Sequence, residues 1–380
     1  MQSDLRTTIE FFAGIGGFRL AADSIGLKTI WANDIDARAC LVYRSRFGKT
    51  IHEGDVHQFL DLIPKHDVLT GGFPCQPFSS AGKKQGTRDP RGTLFQVLVQ
   101  TIEKHQPRFF VLENVKRLLS MEKGCHFATI LSALTSLGYR VEWRLLNASH
   151  FGLAQNRQRI IILGSKPEDL APTTMLGRPN DFRALSGREL DRIHEGQDWW
   201  HIETHGEHFG SWGIAENDRF VSMDLDRFSD ATPPITLKQV LDKDVPEQFD
   251  FTATMGSRLD ANEQVNRFVE GVEILSNQGG GARMGYTIFG VHGLAPTLTA
   301  ATSRHYERYK VGEKYRRLTN VEYARLQGFP DDHCAPVSVY DQYSLFGNAV
   351  PPPLVSWVLR NLRRKPTSIP VAKAAQLVLV

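Results

Sequence analysis

The first 165 residues alternate short apolar runs with amphipathic stretches. The runs TTIEFF, KTIWAND, DVLTGGFP and RFFVLENV have the length and the β-branched and aromatic content of buried strands. Between them, FRLAADSIG, ARACLVYRSRFG and CHFATILSALTSLGY repeat apolar residues at helical spacing. This alternation is typical of βαβ units around a parallel sheet, so we predict an α/β fold.

The pattern breaks after the strand-like run RIIILGS. From about Lys166 to Gly290 the sequence is irregular and rich in Asp, Arg, His, Trp and Gly, which indicates a smaller domain inserted into the first. Order returns at RLTNVEYARLQGFPDD, where Thr319 and Glu322 form a capping box and Gly328 ends the helix. A proline-started helix, PPPLVSWVLRNLRR, follows near the end of the chain.

Composition narrows the class of protein. The 380 residues are 41% hydrophobic and 23% charged, as in soluble globular proteins, and no run of eighteen apolar residues or secretory leader occurs. The four cysteines are scattered without a CxxC pair, which favours a reducing compartment over a disulfide framework or a zinc ribbon. We therefore expect a cytoplasmic protein with no membrane partner and no metal. The net charge of +3 is too small to identify a polyanionic partner.

A glycine-rich turn, FAGIGG, follows the first predicted strand. It places Gly14, Gly16 and Gly17 before a helix, but the last position of a G-x-G-x-x-G match falls on Arg19, so the dinucleotide fingerprint fails. The carboxyl ends of parallel strands are where doubly wound sheets bind ligands. The turn therefore favours a nucleotide-like cofactor without a pyrophosphate.

Two acidic residues follow the next two strands. Asp34 ends the second strand, where a carboxylate binds ribose hydroxyls, and Asp55 follows the third, where it can accept from an adenine amino group. If the cofactor is a sulfonium, Phe12 offers it a ring face. The alternative is that Asp34 and Asp55 only cap the helices that follow them.

A candidate nucleophile lies in GGFPCQPFSSAG. Cys75 stands between two prolines that restrict the backbone and remove donors, at the same predicted edge of the sheet. The next strand ends in Glu113 and Asn114, and QNRQR later places Arg157 and Arg159 two apart at the start of a strand, facing one side. Each has an ordinary alternative as a core cysteine, an asparagine-paired carboxylate or a surface arginine pair. Together they indicate a nucleophile, an acid and two cations.

Two further clusters are open to more than one interpretation. The basic stretches KKQGTRDPR and RHYERYKVGEKYRR are either solvated loops or contacts for nucleic acid. HIETHGEH spaces His201, His205 and His208 at metal-like intervals, but it has no cysteine partner. We favour a polar recognition loop over a zinc site there.

Six motifs together resemble a known family. FAGIGG, GGFPCQPFSSAG, ENV, QNRQRIIILG, RLTNVEYARLQGFPDD and GNAVPPP, in this order and at these separations, resemble the motif series of the DNA cytosine-5 methyltransferases of bacterial modification systems. The resemblance covers most of the chain outside the irregular stretch. It implies an α/β fold: a Rossmann-like S-adenosylmethionine-dependent methyltransferase domain at residues 1–180 plus 335–380, and a smaller, irregular target-recognition domain with its hinge at 181–334. DNA is expected in the cleft between them.

The resemblance also implies the role of each matched residue. It makes Cys75 the nucleophile and Glu113 the acid that contacts cytosine N3. Arg157 and Arg159 are the family's arginine pair, and Asn114 or Ser79 holds the water that takes the C5 proton. The implied cofactor contacts are Phe12, Ala13, Gly14, Gly16, Gly17, Asp34, Ile35, Asp55, Val56, Pro74, Asn348 and Val350. The expected DNA contacts are Lys83, Lys84, Arg88 and Arg91 in a closing segment, Gln278, Arg283 and Met284 as candidates to fill the vacated base stack, and Thr297.

The implied reaction is methyl transfer from S-adenosylmethionine to C5 of a flipped-out cytosine within a specific duplex DNA sequence. It passes through a covalent Cys75–C6 intermediate, leaves S-adenosylhomocysteine and needs no metal. We expect a monomeric bacterial protein that acts on double-stranded DNA, with any restriction endonuclease acting separately. Two alternatives are a tRNA cytosine-5 methyltransferase and a catalytically silent DNA-binding relative. The second would have lost Cys75, Glu113 or Arg159, and all three are present.

Overall fold

The computed structural model describes residues 5–74, 93–166, 173–252, 259, 263–277, 287–300 and 307–372. Within these ranges the strands are β1 (Thr7–Phe11), β2 (Lys28–Asp34), β3 (Ile51–Glu53), β4 (Val68–Gly72), β5 (Phe109–Val115), β6 (Arg140–Asn147), β7 (Gln158–Ser165), β8 (Thr173–Thr174), β9 (Trp200–His201), β10 (Trp212–Glu216), β11 (Arg219–Met223), β12 (Glu263–Val269), β13 (Val272–Asn277), β14 (Thr287–Phe289), β15 (Arg308–Val311), β16 (Lys314–Arg316) and β17 (Thr367–Ser368). The α-helices are α1 (Gly17–Ser24), α2 (Ala37–Phe47), α3 (Thr93–His105), α4 (Cys125–Thr135), α5 (Gly187–His194), α6 (Leu237–Val240), α7 (Asn320–Gln327), α8 (Val339–Asn348) and α9 (Pro352–Asn361).

One large sheet organises the first half of the chain. Among the described residues its strand order is β3-β2-β1-β4-β5-β7-β6-β10-β11-β9. Five adjacent strands of this sheet are parallel: β3, β2, β1, β4 and β5. The next strand, β7, lies between β5 and β6 and runs antiparallel to both. The predicted alternation of strands and helices is confirmed. Helices cover both faces of the parallel strands, which explains their nearly continuous apolar sequences.

The strand directions decide which side chains meet. Because β1, β2, β4 and β5 are parallel, their carboxyl ends lie on the same side of the sheet, and Phe12, Asp34 and Asn114 lie there. The antiparallel strand β7 starts beside these carboxyl ends, where Arg159 pairs with Val115 at the end of β5. An arginine from the start of one strand therefore lies beside carboxylates and amides from the ends of others.

The far edge of the sheet comes from residues that the sequence analysis assigned to the recognition domain. β10 pairs with β6, and β11 and β9 follow. Trp212 and Ile214 of β10 are buried against Phe182 and Ile193. The expected boundary between the two domains, at residue 181, therefore falls within the part of the chain that builds the large sheet. Strands this short, two to five residues between polar loops, give too little periodicity to be recognised in sequence.

A smaller sheet, β12-β13-β14-β15-β16, packs against α6, α7 and α8. The predicted capping box is confirmed, since Thr319 accepts from the Glu322 N–H and the Glu322 side chain accepts from the Thr319 N–H. Gly328 follows α7 at φ 77°, the left-handed conformation that ends a helix. In the described ranges no helix is both long and apolar enough to span a membrane.

Candidate active site

A cavity of about 500 Å³ opens at the carboxyl edge of the parallel strands. That volume is in the range of small-molecule and cofactor sites. The predicted site residues that line it are Phe12, Ala13, Gly14, Gly17, Asp34, Ile35, Asp55, Val56, Pro74, Glu113, Asn114, Arg157, Arg159, Asn348 and Val350. Residues from five motifs far apart in sequence therefore share one cavity.

The glycine-rich turn is shaped by close contacts. A Cβ on Gly17 would lie 2.5 Å from the carbonyl oxygen of Val350, so only glycine allows the start of α1 to approach the loop between α8 and α9. Gly16 caps α1 in the left-handed conformation and does not line the cavity. Phe12, although not a glycine, has φ 53°. Such strain is tolerated where the surrounding structure fixes the backbone, and it occurs most often at functional sites.

Asp34 fixes the position of this turn. Its two carboxylate oxygens accept hydrogen bonds from the Gly14 N–H (2.7 Å) and the Asp36 N–H (2.8 Å). Burial raises the pKa of Asp34, and those hydrogen bonds oppose the shift. Asp36, not Asp34, caps α2 by accepting from the Arg38 N–H. Asp34 is therefore not the helix cap of the alternative interpretation.

Asp55 both caps a helical turn and lines the cavity. It accepts from the His57 N–H (3.0 Å) at the start of a short 3-10 helix, and its carboxylate lies 2.7 Å from His57 Nδ1. These hydrogen bonds lower the pKa of Asp55. Nearby, the Ile35 side chain is 75% exposed although it is apolar, and it lies at the cavity mouth.

Glu113 and Arg159 form an ion pair that faces the cavity. Arg159 Nε lies 2.7 Å from Glu113 Oε1, and the side chains are 11% and 14% exposed for arginine and glutamate respectively. Both residues line the cavity. Burial lowers the pKa of Arg159, and the Glu113 charge opposes that shift. The site thus holds a carboxylate and a guanidinium with limited access to water.

Asn114 uses its amide to hold the backbone. The side-chain NH₂ donates to the Phe73 carbonyl (3.0 Å), and Oδ1 accepts from the Val115 N–H (2.9 Å). The residue is 2% exposed. Its contacts fix the chain immediately before Pro74, which precedes the predicted nucleophile.

Arg157 is buried and bonded to backbone carbonyls. Its guanidinium donates to Leu298 (2.7 Å), Gly347 (2.9 Å) and Ala349 (2.9 Å). Burial lowers its pKa well below the ordinary value, and the nearby Arg159 charge acts in the same direction. Among the described residues no carboxylate forms an ion pair with it within 4.0 Å.

Other predicted residues lie elsewhere. Thr297 donates its hydroxyl to the Asn156 carbonyl (2.6 Å) and does not line the cavity. His201 pairs with Asp218, and the His205 ring packs against Phe209 at 4.4 Å between centroids. The predicted residues that lie outside the described part of the chain are Cys75, Ser79, Lys83, Lys84, Arg88, Arg91, Gln278, Arg283 and Met284.

The sequence analysis missed part of the cavity wall. The additional lining residues are Ile15, Phe18, Asn33, Asp36, Ala39, Gly54, Gly72, Phe73, Leu94, Val115, Leu345, Gly347 and Ala349. Most are neighbours of a motif residue, so a wider window around each motif would have found them. Leu345 lies two residues before the GNAV motif and gives no local signal of its own.

Comparisons with known proteins agree with this geometry. A family model described as C-5 cytosine-specific DNA methylase matches residues 6–364. The type II methyltransferase M.HpaII of Haemophilus parainfluenzae is 33% identical over 94% of this chain and 89% of its own length. M1.ScrFI of Lactococcus lactis subsp. cremoris is 32% identical over 93% of this chain and 77% of its own. A structure of a DNMT2 variant from Spodoptera frugiperda has a TM-score of 0.64 at 18% identity, covering 94% and 99% of the two chains. The α/β fold is therefore the Rossmann-like methyltransferase fold.

Proposed function

Because the chain belongs to the C-5 cytosine-specific DNA methylase family, we propose that it methylates C5 of a flipped-out cytosine through a covalent Cys75–C6 adduct. Family membership makes it a DNA cytosine-5 methyltransferase. The covalent adduct, the flipped base and the methyl donor are the finer steps of the proposal. The observation that carries them is that the Glu113–Arg159 pair and the Gly14–Asp34 turn open into one cavity.

The residues at the turn fit S-adenosylmethionine. Gly17 packs against Val350 in the wall of the cavity, and Asp34 is held by two backbone donors at the end of β2. Asp34 is the candidate for the ribose hydroxyls, Asp55 and Ile35 for the adenine, and Phe12 for the positive sulfur. When bound, S-adenosylmethionine supplies an electrophilic methyl group.

Cytosine C6 is a poor electrophile, so attack by a thiolate requires stabilisation of the charge that develops on the ring. Glu113 protonates or hydrogen-bonds N3 as charge develops on the ring, and Arg159 holds the Glu113 carboxyl and supports the O2 side. Bond formation between Cys75 sulfur and C6 turns C5 into a nucleophile. Once C5 has gained the methyl group, loss of the C5 proton to a base, return of the N3 proton and expulsion of the thiolate restore the aromatic ring.

Asn114 has a second part in this proposal besides holding a water. One amide N–H donates to the Phe73 carbonyl and Oδ1 accepts from the Val115 N–H, so Asn114 also positions the chain before Pro74, and its second N–H and lone pair remain for a water. Because the target base must leave the helix, the basic segment after Cys75 is proposed to close over duplex DNA. The chain is proposed to act as a monomer on a specific sequence, with any cognate endonuclease acting separately.

Adduct trapping tests the covalent step. Duplex DNA is amplified from an unmethylated bacterial genome with 5-fluorocytosine in place of cytosine, and incubated with the protein and S-adenosylmethionine. We expect a protein–DNA complex that resists denaturation, because fluorine replaces the C5 proton and a base cannot remove it to release Cys75. Cys75→Ser should give none, whereas Cys125→Ser, which changes an exposed cysteine away from the cavity, should trap normally.

Two further arms separate the alternatives. Methyl incorporation into tRNA but not into duplex DNA would replace the DNA proposal by an RNA one. Binding of DNA without an adduct and without methyl incorporation would leave only a binding protein. If duplex DNA is methylated, bisulfite sequencing of the methylated genome will identify the recognition sequence.

A further inference from the structure

The QNRQR segment carries two arginines with different surroundings. Arg159 pairs with Glu113 at the cavity, whereas all the contacts of Arg157 described above are to backbone carbonyls. Arg157 is 1% exposed. A guanidinium so enclosed, whose two terminal nitrogens donate to main-chain oxygens, orders the chain around it.

The carbonyls that Arg157 binds belong to two segments. Gly347 and Ala349 stand at the C-terminus of α8, where backbone carbonyls lack helical partners and a cation is favourable. This end of α8 leads into Val350, which touches Gly17 of the glycine-rich turn. The third carbonyl belongs to Leu298, next to Thr297.

Gln155 completes the same arrangement. Its Oε1 accepts from the Leu298 N–H (3.0 Å), so Gln155 and Arg157 hold both backbone groups of Leu298. Its NH₂ group donates to Gln327, whose own side chain donates to the Phe346 carbonyl of α8. Gln155 is fully buried. Gln155 therefore binds Leu298 directly and is linked to the end of α8 through Gln327.

The two segments also touch directly. A Cβ added to Gly347 would lie 2.4 Å from the carbonyl carbon of Thr299 and 2.6 Å from the nitrogen of Ala300. A displacement of residues 297–300 therefore moves the end of α8, and through Val350 it reaches the wall of the cavity. Such a contiguous packed chain is a physical route for coupling two sites.

We propose that Arg157, with Gln155, is a positioning residue that holds the cofactor-side loop 347–350 in register with the DNA-side segment 297–300. The inference rests on the proposed function, because it takes the cavity as the methyl-donor site and segment 297–300 as a target contact. It assigns Arg157 to binding of both ligands. Arg159 remains the arginine that acts in the chemical step.

The test compares the same substitution at the two arginines. Arg157→Lys keeps the charge but loses the planar fork that spans three carbonyls. Lost charge-assisted hydrogen bonds should weaken binding of S-adenosylhomocysteine about tenfold in isothermal titration calorimetry. In methylation of sheared unmethylated genomic DNA, KM for both DNA and S-adenosylmethionine should rise, with a smaller change in kcat. Arg159→Lys should leave S-adenosylhomocysteine affinity within about twofold and lower kcat about a hundredfold.

The outcomes separate the inference from the proposed function. If the Arg157→Lys variant keeps wild-type affinity and both wild-type KM values, and only kcat or Tm falls, the positioning role is wrong. If that variant does not fold, Gln155→Met removes the second hold on Leu298, and both KM values should rise less. A Gln155→Met protein with unchanged KM values would overturn the inference. Wild-type protein that neither binds S-adenosylhomocysteine nor methylates DNA would instead overturn the proposed function.

Discussion

Two ion pairs, each with an arginine on one of the neighbouring strands β6 and β7, have the same length and different surroundings. Arg159 and Glu113, on β7 and β5, meet at 2.7 Å and line the cavity. Arg144 of β6 meets Asp181 at 2.7 Å, and their side chains are 2% and 0% exposed. The first pair borders space that a ligand can enter, and the second is enclosed by protein.

The enclosed pair is surrounded by hydrogen-bond partners. Arg144 also donates to the carbonyls of Leu176 and Arg227. The Asp181 carboxylate accepts from the N–H groups of Arg178 and Ser229. Removing two charges from water is costly unless such partners replace the water. The comparison therefore predicts that a change in the first pair mainly alters reaction rate, and a change in the second mainly alters stability.

The largest effect is expected from Glu113→Gln. The amide cannot donate a carboxyl proton to the cytosine ring, so methyl incorporation should fall about a thousandfold, equivalent to about 4 kcal/mol of transition-state stabilisation. Affinity for S-adenosylhomocysteine, measured by calorimetry, should change less than about twofold. Glu216→Gln is the matched control, because Glu216 pairs with Arg140 away from the cavity. Equal losses of rate in both variants would remove the distinction between the pairs.

Asp181→Ala should produce the reverse result. It leaves the Arg144 charge buried without its partner, which costs about 3 kcal/mol of folding stability. Urea unfolding should show the loss, while kcat of the folded protein at low temperature stays near the wild-type value. A variant of normal stability with reduced kcat would show that this pair also takes part in the reaction.

The residues of the cavity-facing pair were predicted from sequence to share one site, although not to form an ion pair, and the enclosed pair was not predicted at all. Glu113 and Arg159 fall in short motifs at strand ends, where chemistry is expected from topology alone. Arg144 lies inside the strand YRVEWRLLNA, where a charged residue usually faces solvent. Its burial depends on residues 176–229 folding over β6, and no local pattern encodes that contact. Arg157 shows that local sequence does not reveal long-range partners. Its spacing from Arg159 predicted a shared role, but Arg157 binds backbone carbonyls whereas Arg159 pairs with Glu113.

A third carboxyl group, the buried side chain of Glu10, extends the comparison to the effect of pH on folding stability. Glu10 of β1 is 1% exposed, and burial raises its pKa to about 8 although Tyr43 donates to it and the Arg19 charge is near. The Arg19 side chain pairs with Asp23 instead. The folded state therefore holds the Glu10 proton more tightly than the unfolded state, whose value is 4.5. Its contribution to stability is complete below pH 4.5 and is lost as the pH rises to about 8.

Glu10→Gln should remove this slope. Between pH 6 and 8.5 the wild-type free energy of unfolding should fall by about 2 kcal/mol more than that of the variant, from the linkage between pKa and stability. Urea unfolding at the two pH values measures the difference between the slopes, which cancels the contributions of other titrating groups. Parallel slopes would mean that Glu10 is ionised in the folded protein, with compensation from Arg19 and Tyr43.

The smallest effect is expected at an ion pair on the outside of the cavity. Arg38 joins Asp341 at 2.8 Å between α2 and α8, and the side chains are 48% and 26% exposed. Water already solvates both charges, so Asp341→Asn should leave the urea midpoint of unfolding close to the wild-type value. Salt should abolish even this difference, because exposed charges are screened. A large loss of stability, or a large loss of S-adenosylhomocysteine affinity in calorimetry, would show that the distance between the two charges matters more than their burial.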